Sequence, residues 1–261
     1  MTSENILLCV GECMVEMSPT GSENYRMGFA GDTFNMAWYA RRLLGPRWEV
    51  SYASCVGTDV TSDRMLDFMR DAGIGTNTVR RLDDRTVGLY MIHLDKGERS
   101  FSYWRGQSAA RALADDPDWL DDVFARASVV FFSGITLAIL TDEARGAFCA
   151  ALARARAKGV QTVFDTNMRA RLWSGAEAMR AGIMQGAAQA DIVLPSFDEE
   201  EDVFGDTSPR TVAARYHGAG ASLVVVKNGT GEILISDTKE GQFTQTPEPA
   251  PKVVDTTAAG D

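Results

Sequence analysis

Short apolar runs alternate with amphipathic stretches along most of this chain. The runs lie at residues 6–10, 129–132, 160–164, 192–194 and 223–226. Continuous apolar runs of this length are typical of strands buried on both faces, as in a parallel sheet. Between them, residues 142–158 place small and apolar side chains on one stripe at helical spacing, and Gly159 is predicted to end that helix. The alternation predicts a doubly wound α/β fold, a mostly parallel sheet flanked by helices.

Two local patterns predict helix starts. The string Ser174-Gly175-Ala176-Glu177 has the form of a capping box, in which a serine and a glutamate three residues later cap the first turn. Ser196-Phe197-Asp198-Glu199 has the same form. For this second string the local pattern alone predicts a structural capping role.

Residues 85–105 alternate between apolar and polar positions around Asp95-Lys96-Gly97-Glu98, which predicts a β-hairpin. If Lys96-Gly97 forms the turn, Tyr90 lies opposite Tyr103, and Arg105 shares their face. Such a hairpin is either a lid over a ligand or a sheet packed through its aromatic residues, and the pattern alone favours the second interpretation.

Composition and charge narrow the class of protein. The chain of 261 residues is 45% hydrophobic and 24% charged, with 36 acidic and 26 basic residues and a net charge of −10. These values are ordinary for a globular protein and disfavour a large basic face for nucleic acid. An anionic ligand must therefore be held by a few local cations or backbone N–H groups. We expect no nucleic-acid partner.

Several other classes are disfavoured. The longest mostly apolar stretch, residues 127–140, is too short to cross a bilayer, and no basic segment of a secretory signal is seen, so we expect a cytoplasmic protein without a membrane partner. No phosphate-binding P-loop or dinucleotide-binding glycine motif is present. Two histidines make a Ser-His-Asp triad a poor candidate, and the four cysteines have the spacing of buried thiols, not of a zinc site.

Polar residues follow three of the predicted strands, at 165–169, 195–199 and 227–231. Because ligands of open α/β sheets bind beyond the carboxyl ends of the strands, these segments are candidates for a binding site. Asp165 is expected to order a turn, a role favoured over direct metal binding.

The string DTTAAGD at residues 255–261 combines small residues with carboxylates. Successive N–H groups of such a turn can hold an anion, especially where a helix begins just after it. A carboxylate there can accept a proton from a hydroxyl that attacks a bound phosphate. Taken alone, the string also fits an ordinary turn.

Several strings together resemble a known family. DTTAAGD at 255–261 and GFAGDTFN at 28–35 are similar to the C-terminal signature and the sugar-binding segment of the ribokinase-like (PfkB-type) carbohydrate kinases. Further strings resemble the bacterial 2-keto-3-deoxygluconate kinases of that family: GECM at 11–14, GDT at 31–33, YWR at 103–105, SGITLAIL at 133–140 and RARLW at 169–173. The matches occur in the family's order along nearly the whole chain. The resemblance implies a ribokinase-like fold with a small β-hairpin lid.

The resemblance also implies a role for each matching residue. Asp261 is similar to the catalytic base, with backbone N–H groups of Ala258, Ala259 and Gly260 as the anion hole. Sugar-hydroxyl contacts are implied for Gly31, Asp32 and Asn35, and contacts to the keto acid for Tyr90, Tyr103, Arg105 and Arg169. Nucleotide contacts are implied for Ser196, Lys227, Gly229 and Gly231. Glu199 is placed near the magnesium–phosphate waters, and Asp255 and Thr257 near a monovalent cation. For Asp32, capping of a helix is the alternative.

The activity implied is ATP-dependent phosphorylation of 2-keto-3-deoxygluconate with Mg²⁺ and a monovalent cation. The alternatives are a kinase of a neutral sugar, such as a fructokinase, and a silent sugar-acid-binding protein of the same fold. The resemblance predicts one domain over residues 1–261, with lid segments at about 13–30 and 85–105. A lid hairpin with exposed apolar residues favours a homodimer through the lid. It also implies that the family fold continues past Asp261. Ala30, Met168, Asn228 and Ala258 depart from the family pattern.

Overall fold

The computed structural model describes residues 5–21, 23–95 and 98–248. The chain divides into two compact units, Met1–Ser128 and Val129–Asp261. The first unit contains the strands Asn5–Val10 (β1), Met14–Pro19 (β2), Tyr25–Ala30 (β3), Trp48–Gly57 (β4), Val79–Leu82 (β5), Leu89–Asp95 (β6) and Glu98–Trp104 (β7), and the helices Asp32–Leu43 (α1), Val60–Asp71 (α2) and Pro117–Ala125 (α3).

In the first unit β1, β4 and β5 form a parallel arrangement with β4 in the middle. The helix α1 packs against β1 and β4. Phe34 and Ala37 of the helix are buried, and the Phe34 ring packs edge-on against Tyr52 of β4 with centroids 5.8 Å apart. Burial on both faces explains why the sequence of β1 reads as an apolar run and not as an alternation.

A second sheet of the first unit has the order β3-β2-β6-β7. The strands β6 and β7 are antiparallel, and Tyr90 lies opposite Tyr103, which confirms the predicted hairpin register. One face of this sheet buries Met14, Tyr90 and Ile92, with Phe101 and Tyr103 packed against them. The predicted turn at Lys96-Gly97 lies outside the described residues.

The second unit is also built of alternating strands and helices. Its strands are Val129–Ser133 (β8), Gln161–Asp165 (β9), Ile192–Leu194 (β10), Leu223–Val226 (β11), Ile233–Asp237 (β12) and Gly241–Gln245 (β13). Its helices are Gly134–Ala138 (α4), Asp142–Ala157 (α5), Ala176–Ala187 (α6), Phe197–Phe204 (α7) and Pro209–Gly218 (α8). The strands β8 to β11 pair in parallel, and β12 and β13 add antiparallel strands. Together with the first unit, this confirms the prediction of a mostly parallel α/β fold.

The helix predicted at 142–158 is confirmed, and a helix starts at each of the two predicted sites, but neither predicted capping box forms. Gly175, not Ser174, is the N-cap residue of α6, and no side chain caps that helix. Ser196 is the N-cap residue of α7, but its side chain makes no capping hydrogen bond. The carboxylate of Glu199, which a capping box would direct back to the helix start, instead accepts hydrogen bonds from residues that follow β9.

No helix among the described residues is long and apolar enough to cross a membrane. The prediction of a single domain over residues 1–261 stays a prediction.

Candidate functional site

The carboxyl end of β1 and the start of α1 meet in the first unit. Gly31 is the N-cap residue of α1 and Asp32 is its first residue, so Asp32 does not act as the N-cap. A Cβ atom on Gly31 would lie 2.2 Å from the backbone oxygen of Glu12. Only glycine fits this close approach, which joins the α1 N-terminus to the segment after β1. The N–H of Asn35 donates to the Gly31 oxygen at 2.7 Å in the first turn.

Arg105 and Glu12 form a buried ion pair in the same unit. Arg105 directly follows β7 and is 8% exposed, and Glu12 follows β1 and is 2% exposed. Nη2 of Arg105 donates to Oε2 of Glu12. A guanidinium with little access to water is well suited to hold a carboxylate ligand, because its N–H groups meet carboxylate oxygens in a fixed plane.

A row of three side chains crosses the second sheet of this unit. Tyr90 lies opposite Glu16 of β2 and Tyr103 of β7. Its hydroxyl donates to the Glu16 carboxylate, and its ring stacks on Tyr103 with centroids 5.8 Å apart. Burial and the hydrogen bond to Glu16 raise the pKa of the Tyr90 hydroxyl. Tyr90 is therefore a fixed neutral group that offers an aromatic surface and a positioned hydroxyl.

In the second unit, Arg169 and Glu199 lie together. Nη1 of Arg169 donates to Oε1 of Glu199 at 2.7 Å, and the N–H of Met168 donates to Oε2 of Glu199 at 3.0 Å. Glu199 is on α7 and Arg169 follows β9. The pairing explains why Glu199 is turned away from the start of its own helix, since both of its oxygens have donors beyond β9.

Lys227 and Asp165 form a second ion pair of this unit. Nζ of Lys227 lies 3.1 Å and 3.0 Å from the two carboxylate oxygens of Asp165. Asp165 also accepts the N–H of Asn167 at 3.2 Å, which confirms the expectation that it orders the turn. Ser196 forms a parallel bridge with Lys227. Lys227, which follows β11, thus contacts the ends of two other strands, at Asp165 of β9 and at Ser196 after β10.

The glycines after β11 form a tight turn. Gly229 has a φ of 53°, in the left-handed region that favours glycine. The N–H of Gly231 donates to the Asn228 oxygen at 2.7 Å. A Cβ atom on Gly231 would lie 2.7 Å from Nδ2 of Asn228, so a side chain there would require the Asn228 side chain to move.

Neither thiols nor acidic clusters make a resident metal site in the described part of the chain. The four cysteines are free and buried, as predicted. Burial raises the pKa of the Cys55 thiol to about 11 and that of the Cys149 thiol to about 12. No group of three or more His, Cys, Asp or Glu side chains among residues 5–21, 23–95 and 98–248 is arranged to hold a metal ion.

Part of the predicted site lies outside the described residues. This part comprises the proposed base Asp261, the anion-hole residues Ala258, Ala259 and Gly260, and the cation-site residues Asp255 and Thr257. Their roles stay predictions.

Comparisons with known proteins identify the family. The sequence pattern of the "pfkB family carbohydrate kinase" matches residues 5–261. The chain belongs to this family. It is therefore a sugar kinase, an enzyme that transfers a phosphoryl group to an alcohol of a carbohydrate.

Individual relatives agree with this assignment. The chain is 39% identical to a 2-dehydro-3-deoxygluconokinase of Dickeya dadantii, over 100% of this chain and 86% of the relative. A PfkB protein from Polaromonas superposes with a TM-score of 0.82 at 28% identity, over 94% of this chain and 83% of that one. A fructokinase from Xylella fastidiosa with bound ATP superposes with a TM-score of 0.84 at 23% identity, over 98% and 77%. The last likeness shows the ribokinase-like fold alone.

The structure adds two residues of this PfkB kinase that the sequence interpretation left without a role, Glu12 and Glu16. Both are joined to predicted substrate residues, Glu12 to Arg105 and Glu16 to Tyr90. Glu12 carries a signal that the sequence does show. It is a polar residue that follows a buried strand, β1, as the candidate residues after β9, β10 and β11 follow theirs. No comparable signal in the sequence distinguishes Glu16 from an ordinary polar residue of a strand.

Proposed function

We propose that this PfkB kinase phosphorylates the 6-hydroxyl of 2-keto-3-deoxygluconate with ATP, giving 2-keto-3-deoxy-6-phosphogluconate. The observation that carries the proposal is the likeness to a 2-dehydro-3-deoxygluconokinase along the whole chain at 39% identity. The structure supports an acidic substrate, because Arg105, the residue that follows the hairpin strand β7, supplies a buried cation.

The substrate contacts are proposed as follows. Arg105 binds the substrate carboxylate, since a chain with a net charge of −10 needs local cations to hold an anion, and Arg169 is a further proposed contact of the keto acid. Tyr90 and Tyr103 contact the keto-acid part of the sugar. Gly31, Asp32 and Asn35 contact sugar hydroxyls, from the first turn of α1 and its cap.

ATP is proposed to bind through Ser196, Lys227, Gly229 and Gly231. The amino group of Lys227 fits contact with phosphate oxygens, and the glycine turn lets a nucleotide approach the backbone closely. Mg²⁺ fits this site as an ion carried by the ATP phosphates, because such ions need only one or two protein carboxylates. Glu199, whose two oxygens already have N–H donors, is proposed to meet the ion only through water. Asp255 is proposed to hold a monovalent cation.

The chemical step is a phosphoryl transfer between two oxygens. Asp261 accepts the proton of the substrate 6-hydroxyl, the resulting oxygen bonds to the γ-phosphorus, and the bond from that phosphorus to the ADP oxygen breaks. The N–H groups of Ala258, Ala259 and Gly260 stabilise the charge on the transferring group. A cytoplasmic location and a homodimer through the lid belong to the same proposal.

Arg105→Ala is the most direct test of the acidic substrate. We expect kcat/KM for 2-keto-3-deoxygluconate to fall by about ten- to a hundredfold, because a lost charge-assisted hydrogen bond costs about 1.5–3 kcal/mol. 3-Deoxyfructose has a CH₂OH group in place of the carboxylate. Its kcat/KM is expected to fall by less than about threefold. Both substrates are measured in a coupled assay of ADP release.

The matched control is Arg126→Ala. Arg126 belongs to the same unit and is also paired with an acid, Asp122, but the two side chains are 70% and 55% exposed. Its loss should leave kcat/KM for both substrates unchanged. Equal losses for acid and neutral substrate in Arg105→Ala would contradict binding of the carboxylate, and a wild-type preference for the neutral sugar would favour a fructokinase-like activity instead.

Lys227→Met tests the nucleotide site. We expect the KM for ATP to rise by about tenfold, because the cation that faces the phosphates is lost, while the Kd for the sugar acid changes less than about threefold. Steady-state kinetics at varied ATP and calorimetry with the sugar acid measure the two effects. A KM for ATP that stays at the wild-type value would contradict a contact between Lys227 and the ATP phosphates.

A further inference from the structure

The Glu12 carboxylate is a buried charged group of the first unit that the proposed mechanism does not use. Its side chain is 1% exposed, and its Oε2 accepts from Nη2 of Arg105, 93 positions away in the sequence. Two atoms of the pair, Oε1 of Glu12 and Nε of Arg105, are buried without a hydrogen-bond partner in the described part of the chain.

The backbone on the Glu12 side is fixed to rigid elements. The N–H of Gly11 donates to the oxygen of Ala53 in β4, at 3.2 Å. The N–H of Val15 donates to the oxygen of Gly88, at 2.8 Å. The oxygen of Glu12 itself lies where a side chain on Gly31 would have to stand. Glu12 is therefore tied to the parallel strands and to the N-cap of α1.

Arg105 depends on a different part of the chain. It follows the last residue of the hairpin strand β7, and its long side chain has several rotatable bonds. Holding such a side chain in one rotamer costs conformational entropy on binding unless another group has already fixed it. The Glu12 carboxylate accepts a hydrogen bond from Nη2 of the guanidinium and so restricts this freedom.

Stability alone is a weak reason for this pair. A buried ion pair commonly adds little stability over apolar residues of the same volume, because both charges lose water. Here the cost is larger, since one acceptor and one donor are also left without partners. A pair that is costly to the fold, and that includes a residue proposed to bind substrate, is typical of a functional site.

We propose that Glu12 is a positioning residue that holds the Arg105 guanidinium in the orientation in which it binds the substrate carboxylate, and that it thereby sets the preference for acidic over neutral sugars. The inference rests on the proposed function, because it assumes that Arg105 binds that carboxylate. Glu12 itself does not touch the substrate in this account.

Glu12→Gln is the central variant, since it keeps the shape of the side chain and removes its charge. Displacement of a binding group by about 1 Å can lower rates by about a hundredfold, and a supporting residue is expected to account for part of that. We expect kcat/KM for 2-keto-3-deoxygluconate to fall by about ten- to thirtyfold and that for 3-deoxyfructose by less than about threefold. Calorimetry gives the Kd for both compounds, so that selectivity is measured in binding as well as in turnover.

The double variant Glu12→Gln, Arg105→Ala separates positioning from a general structural role. If Glu12 acts through Arg105, Glu12→Gln should have no further effect in the Arg105→Ala protein, because the guanidinium that Glu12 positions is absent. The double variant should then have the same kcat/KM for the acid as Arg105→Ala, within about threefold. A further drop of tenfold or more in the double variant, or equal losses for acid and neutral sugars in Glu12→Gln, overturns the inference.

A second variant reaches the pair without removing a charge. A Cβ atom on Gly88 would lie 2.7 Å from Oε1 of Glu12 and 3.2 Å from Cβ of Arg105. Gly88→Ala is therefore expected to shift the pair and to give the same acid-selective loss as Glu12→Gln. A Gly88→Ala protein that folds and keeps the wild-type preference for the acid counts against positioning.

The control for loss of a buried carboxylate is Glu200→Gln. Glu200 is fully buried and is paired with Arg215, but it lies in the second unit. Its variant should keep the wild-type ratio of kcat/KM for the acid to kcat/KM for the neutral sugar.

Failure of the proposed function gives a different result. In that case Arg105→Ala itself reduces kcat/KM equally for both substrates. If Arg105→Ala is acid-selective and Glu12→Gln is not, only the positioning role fails.

Discussion

Asp261→Asn is expected to lower kcat by a factor of about 10² to 10⁴, the range typical for loss of a general base. The asparagine side chain keeps the size of the aspartate but cannot accept the proton of the attacking hydroxyl. Binding of the sugar acid depends on other residues, so its Kd should change by less than about threefold. Single-turnover measurements with saturating ATP, together with calorimetry, separate the two quantities.

Asp67→Asn provides the control for this substitution. Asp67 is an exposed residue of α2, paired with Arg70 of the same helix, and its loss should leave kcat unchanged. A kcat for Asp261→Asn within about threefold of the wild-type value would contradict the role of Asp261 as the base.

The features of the fold that follow from local periodicity could be predicted. The alternation at residues 85–105 gave the pairing of Tyr90 with Tyr103, because side chains in a strand repeat every two residues and the turn sets the register. The strand ends of the second unit were predicted for the same kind of reason. Parallel strands bring their carboxyl ends to one edge, so Asp165 and Lys227 meet although 62 positions separate them.

The ion-pair partners of the candidate cations could not be predicted. Arg105 pairs with Glu12 and Arg169 with Glu199, across 93 and 30 positions of the sequence. Charge pairing of this kind depends on the tertiary arrangement of loops, and short-range sequence patterns do not predict that arrangement. A tertiary contact of this kind also explains why no capping box forms at Ser196. The Glu199 carboxylate accepts from N–H groups that follow β9 and not from those of its own helix.

The second large effect is expected for the buried pair between Glu200 and Arg215. Glu200 of α7 is fully buried, and its carboxylate accepts from Nη2 of Arg215 at 2.6 Å and from the hydroxyl of Tyr216 at 2.8 Å. Arg215 also pairs with Asp206 and lies over the Phe204 ring, 3.8 Å from its centroid. These contacts attach α7, which carries Ser196 at its cap and Glu199 in its first turn, to α8.

Arg215→Met is expected to lower the free energy of unfolding by about 3–5 kcal/mol at pH 8, because it leaves a buried carboxylate without its counter-charge. Chemical denaturation followed by circular dichroism measures the change. Arg126→Ala, which breaks an exposed ion pair, is the control and should cost about 1 kcal/mol or less. Adding Glu200→Gln to Arg215→Met removes the uncompensated charge and should restore about 1 kcal/mol or more.

The effect of Arg215→Met should also depend on pH. Burial raises the pKa of the Glu200 carboxyl above its ordinary value of 4.5, while Arg215 and Tyr216 oppose the rise. Without Arg215 the pKa rises further, so the folded state holds a proton that the unfolded state has already lost above pH 4.5. Stability of the variant relative to wild type must therefore fall as pH rises through the raised pKa. We expect a clearly smaller loss at pH 5 than at pH 8. Equal losses at both pH values, with no recovery in the double variant, would show that lost packing and not an unpaired buried charge is the cause.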